Sequence, residues 1–462
     1  MKPLLLKDIV REIDGSLVKG NEESTIQKVV KRQSNIDQHV LYFCHVPNAC
    51  NWDLLKTKQG YSIVVDHLTG EEPIHKDVNI ILVNDCKEAY WKFICYYRSL
   101  FDIPVIGVTG TCGKTTTKDM VNHIAKEDLM VHKTFQSQNG LHLNHGYLFG
   151  LDDSTQLAVF EMGVAYRGNV RSSGRYFRPT VGVITNIGEA HLEGCRTLEN
   201  YIKAKAEMLE ALSYKGILII NADDENIKKI DMSNYQGKII SFGVNEEANY
   251  RADKISYVNE GMNYTLLNSG KQYTVFVPGY GEHNIFNSLA AIAACHSIGI
   301  SIETCINRLQ TFRTMSRHVK IYEGYNQSMV IDDTWSCNPS SVKAAMQVLK
   351  NISKDSKEIF VLGKMQRLGK HLQEQHIKIG KTLMEMGGLD YLITVGSHAK
   401  LTGMSAIENG MDASKVIMVD DASELDSVLE EISGENSCIL FKMSLGKMKS
   451  EYRQVVVKYR QA

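Results

Sequence analysis

Seven prolines in 462 residues, and no Pro/Ser-rich or low-complexity tract, exclude long extended linkers. The joints between the parts of this chain are therefore short. A formal net charge of −1 shows no surplus of either sign. That excludes a nucleic-acid or membrane surface held by bulk electrostatics, and no nucleic-acid partner is expected. No apolar run approaches the roughly 20 residues needed to cross a bilayer, so membrane insertion is not expected either. Residues 1–15 mix Leu4, Leu5 and Leu6 with Lys7, Asp8, Arg11 and Glu12. This is the pattern of an amphipathic helix and not of a secretion signal, whose apolar core is longer and uncharged. The ten cysteines contain no Cys-x-x-Cys pair. Cys44, Cys95, Cys295 and Cys438 sit in apolar runs and read as small buried hydrophobes in a reducing cytoplasm, without zinc or disulfide.

What is present fits an ordinary globular chain, 43% hydrophobic and 23% charged. Its length suggests about three domains at roughly 150 residues each. Residues 1–100 alternate short helices with strands at Leu41-Tyr42-Phe43, Ser62-Ile63-Val64-Val65 and Ile80-Ile81-Leu82-Val83. Residues 87–100 carry Tyr90, Trp91, Phe93, Ile94 and Tyr97 at helical spacing, so these aromatics read as core and not as a base-stacking platform. From residue 103 the pattern becomes βαβ, which implies a parallel sheet wrapped by helices. After residue 314 a second βα series begins. Its strands lead into Asp332-Asp333-Thr334-Trp335, Gly363-Lys364-Met365, Gly396-Ser397-His398 and Met443-Ser444-Leu445-Gly446. The expected architecture is α/β in three domains. A small α/β domain spans 1–100, a P-loop parallel-sheet domain 101–313, and a Rossmann-like domain 314–462.

The central series opens on Val105-Ile106-Gly107-Val108-Thr109-Gly110-Thr111-Cys112-Gly113-Lys114-Thr115-Thr116-Thr117. A strand, a glycine turn and a helix start in that order bring free N–H groups and a positive helix end to one point, where a polyphosphate fits. ATP would lie on Gly110, Thr111, Cys112, Gly113, Lys114, Thr115 and Thr116. Lys114 would reach the terminal phosphates and Thr115 would hold Mg²⁺. The strict spacing wants glycine at position 108, where Val108 stands, so the match is to a variant loop. Later strands end in Glu161-Met162-Gly163, in Asn186-Ile187-Gly188-Glu189-Ala190-His191 and in Asn221-Ala222-Asp223-Asp224. In such sheets ligands gather beyond the carboxyl ends of the strands.

The loop through Thr117, with Glu161-Met162-Gly163 and the tract from Ile184 to Leu192, resembles the Mur ligase family. So do Ala204-Lys205-Ala206-Glu207, the His283-Asn284-Ile285-Phe286-Asn287 helix start and Asp332-Asp333-Thr334. Within the family the resemblance is strongest to members that add D-alanyl-D-alanine to a UDP-N-acetylmuramoyl-tripeptide in peptidoglycan synthesis. The resemblance implies an ATP- and Mg²⁺-dependent ligase that joins a carboxylate to an amine through an acyl phosphate, releasing ADP and phosphate. It implies catalytic roles for Lys114, His191 and Lys205. It implies one Mg²⁺ on Thr115 and a second metal held by Glu161, His191 and a carbamate on Lys205, which turns a cation into an anionic oxygen ligand suited to a hard metal. Asn287 would meet adenine, Asp333 the ribose and Arg317 the nucleotide on closure, with substrate contacts at Asn186, Ser336 and Asn338. A cytoplasmic monomer acting on small molecules is the implied setting.

Taken singly, each residue has a plainer reading. His191 is a satisfied core histidine, Lys205 a solvated helix lysine, Glu161 a helix cap, Arg317 a surface ion pair and Asp333 a turn residue. Their joint order behind Lys114 favours the site.

Several positions depart from the family pattern. Cys112 replaces a usual Asn, and the tract Trp335-Ser336-Cys337-Asn338-Pro339 loses one amide. Lys364 and Arg367 stand where the turn usually carries acids. Arg32-Gln33-Ser34 and the stretch around Asn51-Trp52-Asp53 lack the side chains that hold a UDP-sugar. A paralogue joining another acid and amine therefore stays open. A non-catalytic nucleotide-binding regulator and a plain P-loop ATPase are opposed by the Glu161, His191 and Lys205 set, which neither would need.

Overall fold

Apolar runs become strands where the sequence places them, and Val105–Thr109, Leu157–Glu161 and Ser437–Lys442 lack alternation because they are buried along their whole length. The computed structural model describes residues 1–44, 50–70, 72, 75, 77–245, 247–314, 316–444 and 450–460. Leu445 and Gly446, which close the last predicted motif, lie outside the described residues. The chain forms two units: Met1–Val105 with Leu129–Ala158 and Ser172–Arg178, and Ile106–Asp128 with Val159–Arg171 and Pro179–Ala462.

In the first unit, Lys28–Val30, Val40–Phe43, Ser62–Val65 and Asn79–Leu82 form a parallel sheet in that order, and Ser16–Lys19 pairs antiparallel at the edge. The helix Cys86–Ser99 starts under an Asp85 cap that accepts from the Glu88 N–H at 2.8 Å. Its stripe of Tyr90, Phe93, Ile94 and Tyr97 is buried, as the spacing predicts, and Phe43 packs edge-on against Tyr90. Two expectations are corrected here. Residues 1–15 are not one helix: Leu4 and Leu5 pair as a short strand with Ile26 and Thr25, which leaves a helix only over Leu6–Glu12. Backbone pairing with a neighbouring strand has overridden local amphipathicity. Cys44 and Cys50 are joined as a disulfide, their Cα atoms 6.4 Å apart. A separation of six residues had shown no motif, but the end of one strand and the start of the next helix bring the two within bridging range.

In the second unit the sheet order is Lys271–Pro278, Gly261–Asn268, Tyr250–Val258, Lys238–Gly243, Ile217–Asn221, Val181–Ile184, Val105–Thr109 and Leu157–Glu161. The Val181–Ile184 strand runs parallel to both Val105–Thr109 and Ile217–Asn221, while the residues after 250 add antiparallel hairpins. The Ala-rich helix Glu282–Ser297 is buried along Leu289–Cys295, where small side chains allow close approach to the sheet.

The later sheet reads Lys320–Glu323, Met329–Asp333, Ser437–Lys442, Lys357–Leu362, Tyr391–Val395 and Val416–Val419. All its pairs are parallel except the first. Alternate residues feed two separate cores. Ile331, Phe360, Leu362 and Leu440 face one side, and Val330, Ile359, Val361, Ile439 and Phe441 the other. The last strand lies between two earlier ones, so the ends at Asp333, Leu362 and Lys442 stand side by side. Among the described residues no helix is long and apolar enough to cross a membrane.

Candidate active site

The strand Val105–Thr109 ends in a turn that only glycine fits at two points. Gly110 has φ +147° with Thr185 Oγ1 where a side chain would be, and Gly113 has φ +82° with Asn287 Oδ1 in the same relation. The helix Lys114–Ala125 begins immediately after, leaving its first-turn N–H groups without helical acceptors. The loop is braced from behind. Asn186 Oδ1 accepts from the Cys112 N–H at 2.9 Å, its amide donates back to Cys112 O at 3.0 Å, and Thr185 Oγ1 donates to the same carbonyl at 2.6 Å. Lys114 Nζ curls onto Thr111 O at 3.0 Å. The turn is thus a preformed anion cradle.

A strand end, a helix and a loop deliver the neighbouring groups. Glu161, 1% exposed at the end of its strand, accepts from Thr115 Oγ1 at 2.9 Å. Lys205 comes from the helix Leu198–Ala211 and is also 1% exposed. Its Nζ donates to Thr109 Oγ1 at 3.1 Å and to Gly110 O at 2.8 Å. Burial, reinforced by nearby Lys114, holds the Lys205 ammonium well below the usual lysine range. His191 sits in left-handed backbone, φ 54°, of the kind stored at functional sites. Enclosure, with Lys205, Lys114 and Arg367 around it, pulls its imidazole down to about 3, so it is neutral at pH 7. Neutral imidazole is the form that ligates metal. Tyr201 lies between these two, stacked on His191 at 6.0 Å and beneath Lys205 at 5.1 Å, with Thr111 Oγ1 3.3 Å from its hydroxyl. Sequence reading missed Tyr201, although its i, i+4 spacing to Lys205 places both on one helix face.

Other expected residues converge from the later sheet. Lys442 Nζ donates to Asp333 Oδ2 at 2.6 Å and to Ser336 O at 2.8 Å. Asn338 caps the helix Pro339–Ile352 by accepting from the Ser341 N–H, and its amide lies 3.6 Å from Cys112 Sγ. Arg317 stacks its guanidinium 5.0 Å over Trp335. Asn287 sits against the glycine turn, where its Oδ1 accepts from Thr117 Oγ1 at 3.4 Å. Thr116 lies in the first turn of the Lys114 helix. Arg367, not singled out as a site residue, places Nη1 3.5 Å from His191 Nε2.

Among the described residues no three His, Cys, Asp or Glu side chains gather as metal ligands. The donor set at this point is Glu161, neutral His191 and the Thr115 hydroxyl, with Lys205 alongside. In the first unit, Gln33 Nε2 donates to the Tyr42 hydroxyl at 3.3 Å and its Oε1 accepts from the Asn51 N–H at 3.0 Å. Gln33 is thus spent on the fold.

The sequence profile of the Mur ligase middle domain matches residues 108–295, and that of the Mur ligase glutamate ligase domain matches residues 317–445. UDP-N-acetylmuramoyl-tripeptide–D-alanyl-D-alanine ligase of Bacillus subtilis is 30% identical over 375 residues, 80% of this chain and 79% of the relative. The protein of the same name from Escherichia coli is 27% identical over 76% of this chain and 77% of its own length. A crystal structure of MurF from Acinetobacter baumannii superposes with a TM-score of 0.83 at 23% identity, covering 99% and 100% of the two chains. MurF ligase from Thermotoga maritima in complex with ADP gives 0.78 at 20% identity over 94% and 97%.

Proposed function

The chain belongs to the Mur ligase family, and from that membership we propose that it is an ATP-dependent ligase forming an amide from a carboxylate and an amine. The named activity best supported is addition of D-alanyl-D-alanine to UDP-N-acetylmuramoyl-tripeptide in peptidoglycan synthesis. The relatives reported above carry that name over most of their length. The observation that carries the reading is the convergence of Glu161, His191 and Lys205 on Lys114 and Thr115. A protein that only bound or hydrolysed ATP would have no use for that set.

Carboxylate and amine do not condense spontaneously in water, so the acid needs a better leaving group. A carboxylate oxygen attacks the γ-phosphorus of ATP, the bridging P–O bond breaks and ADP departs. The amine nitrogen then attacks the acyl carbon and loses a proton, and the C–O bond to phosphate breaks. Lys114 neutralises charge on the transferring phosphoryl group. The glycine turn and the first helical N–H groups orient the phosphates. Asp333, held by Lys442, meets the ribose; Arg317 and Asn287 complete the nucleotide contacts. Ser336 and Asn338 border the substrates, while the Asn186 amide, expected there too, is instead committed to the Cys112 backbone.

The Thr115 hydroxyl would hold one magnesium ion, and Glu161 with neutral His191 would hold a second metal, because a carboxylate and an imidazole are compatible donors. Bound there, the metals would supply positive charge toward the phosphate oxygens. The second set is short of anionic oxygen unless Lys205 carries a carbamate. Its amine is buried, and burial favours the neutral form, which is the one that adds CO₂ with loss of a proton. We read the protein as a cytoplasmic monomer of three domains, 1–100, 101–313 and 314–462.

The test is incubation with ATP, UDP-N-acetylmuramoyl-tripeptide and D-alanyl-D-alanine, with the product weighed by mass spectrometry and nucleotides separated. The expected outcome is the pentapeptide with one ADP and one phosphate. AMP with pyrophosphate would overturn the acyl-phosphate route. Turnover only on another acid–amine pair would favour the paralogue, which the use of Gln33 as a structural bridge also supports.

A further inference from the structure

His191 stands at the head of a one-turn helix, Leu192–Cys195, that is bounded by two residues in left-handed backbone, His191 at φ 54° and Arg196 at φ 68°. One turn is too short to hold its own shape, and neither bounding residue is a glycine. Such backbone persists only where the surroundings impose it. The sheet that carries Val181–Ile184 supplies little of that restraint. The His191 ring stacks on Tyr201 at 6.0 Å, and the Cys195 thiol reaches Ala165 O at 3.8 Å.

The later sheet and its helices supply the rest. Leu192, 6% exposed, belongs to the core on one face of that later sheet, with Val319, Ile331, Met365 and Leu368. Three polar contacts run along the same segment. Lys378 Nζ pairs with Glu189 at 3.2 Å before it, Arg367 O accepts from the Glu193 N–H at 3.4 Å within it, and His371 Nε2 donates to Arg196 O at 3.2 Å at its end. The turn that carries Arg367 is itself pinned, because the Met365 N–H donates to Nε2 of buried His376 at 3.2 Å. Long hydrogen bonds and exposed ion pairs contribute little. The buried leucine is the contact large enough to offset two left-handed residues. It also adjoins His191 in sequence, so seating one side chain fixes the backbone from which the other projects.

Resting on the ligase reading above, we propose that Leu192 is a positioning residue for His191. Its seat in the later core places the imidazole, so the second metal site is complete only while the later fold is packed against the Glu189–Arg196 segment. An acyl phosphate is open to hydrolysis until water is excluded, and a histidine placed from the later fold ties the start of the reaction to that exclusion.

The experiment follows the imidazole signals of the full chain carrying 13C-labelled histidine by NMR, the His191 signal being the one lost in His191→Ala. Leu192→Ala should move or broaden that signal. It should leave in place those of His123 and His296, which bond Arg308 O and the Tyr250 hydroxyl, and this shows that the fold persists. Leu192→Met, which keeps the volume, should restore the wild-type signal. If Leu192→Ala does not fold, the milder Leu192→Val carries the same test. The second readout is Mn²⁺ binding, counted by electron paramagnetic resonance. Leu192→Ala keeps every proposed ligand, yet it should weaken Mn²⁺ binding about tenfold or more. In a His191→Ala background the same change should add nothing, since both act through one imidazole. A His191 signal unmoved in a folded Leu192→Ala overturns the proposal, as does an equal loss of Mn²⁺ affinity with and without His191. Mn²⁺ affinity untouched by His191→Ala removes the metal reading, and a moved His191 signal then still upholds the placement by Leu192. A moved signal in a chain that ligates nothing removes the ligase reading alone.

Discussion

Lys442 and Asp333 face each other in register on adjacent parallel strands, and the lysine Nζ donates to the aspartate Oδ2 at 2.6 Å with their side chains 1% and 10% exposed. Lys442 also ties down Ser336 O, so one ammonium group fixes both the expected ribose contact and the start of the following tract. Lys442→Met should cost about 3–5 kcal/mol, because it strands a buried carboxylate. Chemical denaturation of Lys442→Met, Asp333→Asn and the double variant checks this. The double variant should recover much of the stability yet bind ATP as poorly as Asp333→Asn.

Lys205 presents the opposite case, a buried amine bonded to Thr109 Oγ1 and Gly110 O, with no carboxylate bonded to it among the described residues. Lys205→Met should lower ligation by about 100-fold or more, as expected for the loss of a group that completes a metal site, while the urea midpoint stays within about 1 kcal/mol of wild type. Bicarbonate should raise the thermal midpoint of wild type, since a ligand that binds only the native state stabilises it. The same addition should leave Lys205→Met unmoved. An equal response in both proteins would remove the carbamate.

Gly113 stands at φ +82° with Asn287 Oδ1 in the space a side chain would take. Gly113→Ala adds a left-handed penalty of about 1–2 kcal/mol and a collision. ATP affinity, read by calorimetry, should drop about tenfold. Asn287→Ala removes the collision but not the backbone penalty. The pair should therefore fall short of additivity.

His376 gives the stability a pH dependence of known sign. Burial, with the His398 and Lys364 charges nearby, pulls it to about 4, against about 6.5 when unfolded. Above pH 6.5 both states are neutral and its contribution is complete. Between 6.5 and 4 only the unfolded chain takes the proton, so stability falls by up to about 1.4 kcal/mol per pH unit. Below 4 this loss levels off. His376→Gln, which can still accept from the Met365 N–H, should flatten that part of a stability–pH profile, and a profile as steep as wild type would argue against it.

Much of this was legible before any coordinates. The strand, glycine turn and helix at Lys114 are local, and the buried strands advertise themselves by unbroken apolar runs. Glu161 and His191 could be placed on one edge because parallel strands share a carboxyl side, whereas Lys205, on a helix, joined them only through the family resemblance. The Lys442–Asp333 pair could not be read, because 109 residues separate them and their contact depends on the last strand entering between two earlier ones. Arg367 appeared only as a charge reversal; its approach to His191 follows from a turn pinned by His376. Leu4 and Leu5 misled because a two-residue strand has no periodicity to detect, and the Cys44–Cys50 link lacked any spacing motif.

The strand order of the later sheet also bears on when this protein becomes active during its own synthesis. Ser437–Lys442 fills the middle of a six-stranded sheet whose two neighbours, Met329–Asp333 and Lys357–Leu362, are both translated well before it. Until this strand is made, Met329–Asp333 and Lys357–Leu362 lack the strand that pairs with both, and Asp333 lacks its ammonium partner. Nascent and prematurely released chains can thus complete the glycine turn without completing the enzyme, which ties catalytic competence to the arrival of one late segment.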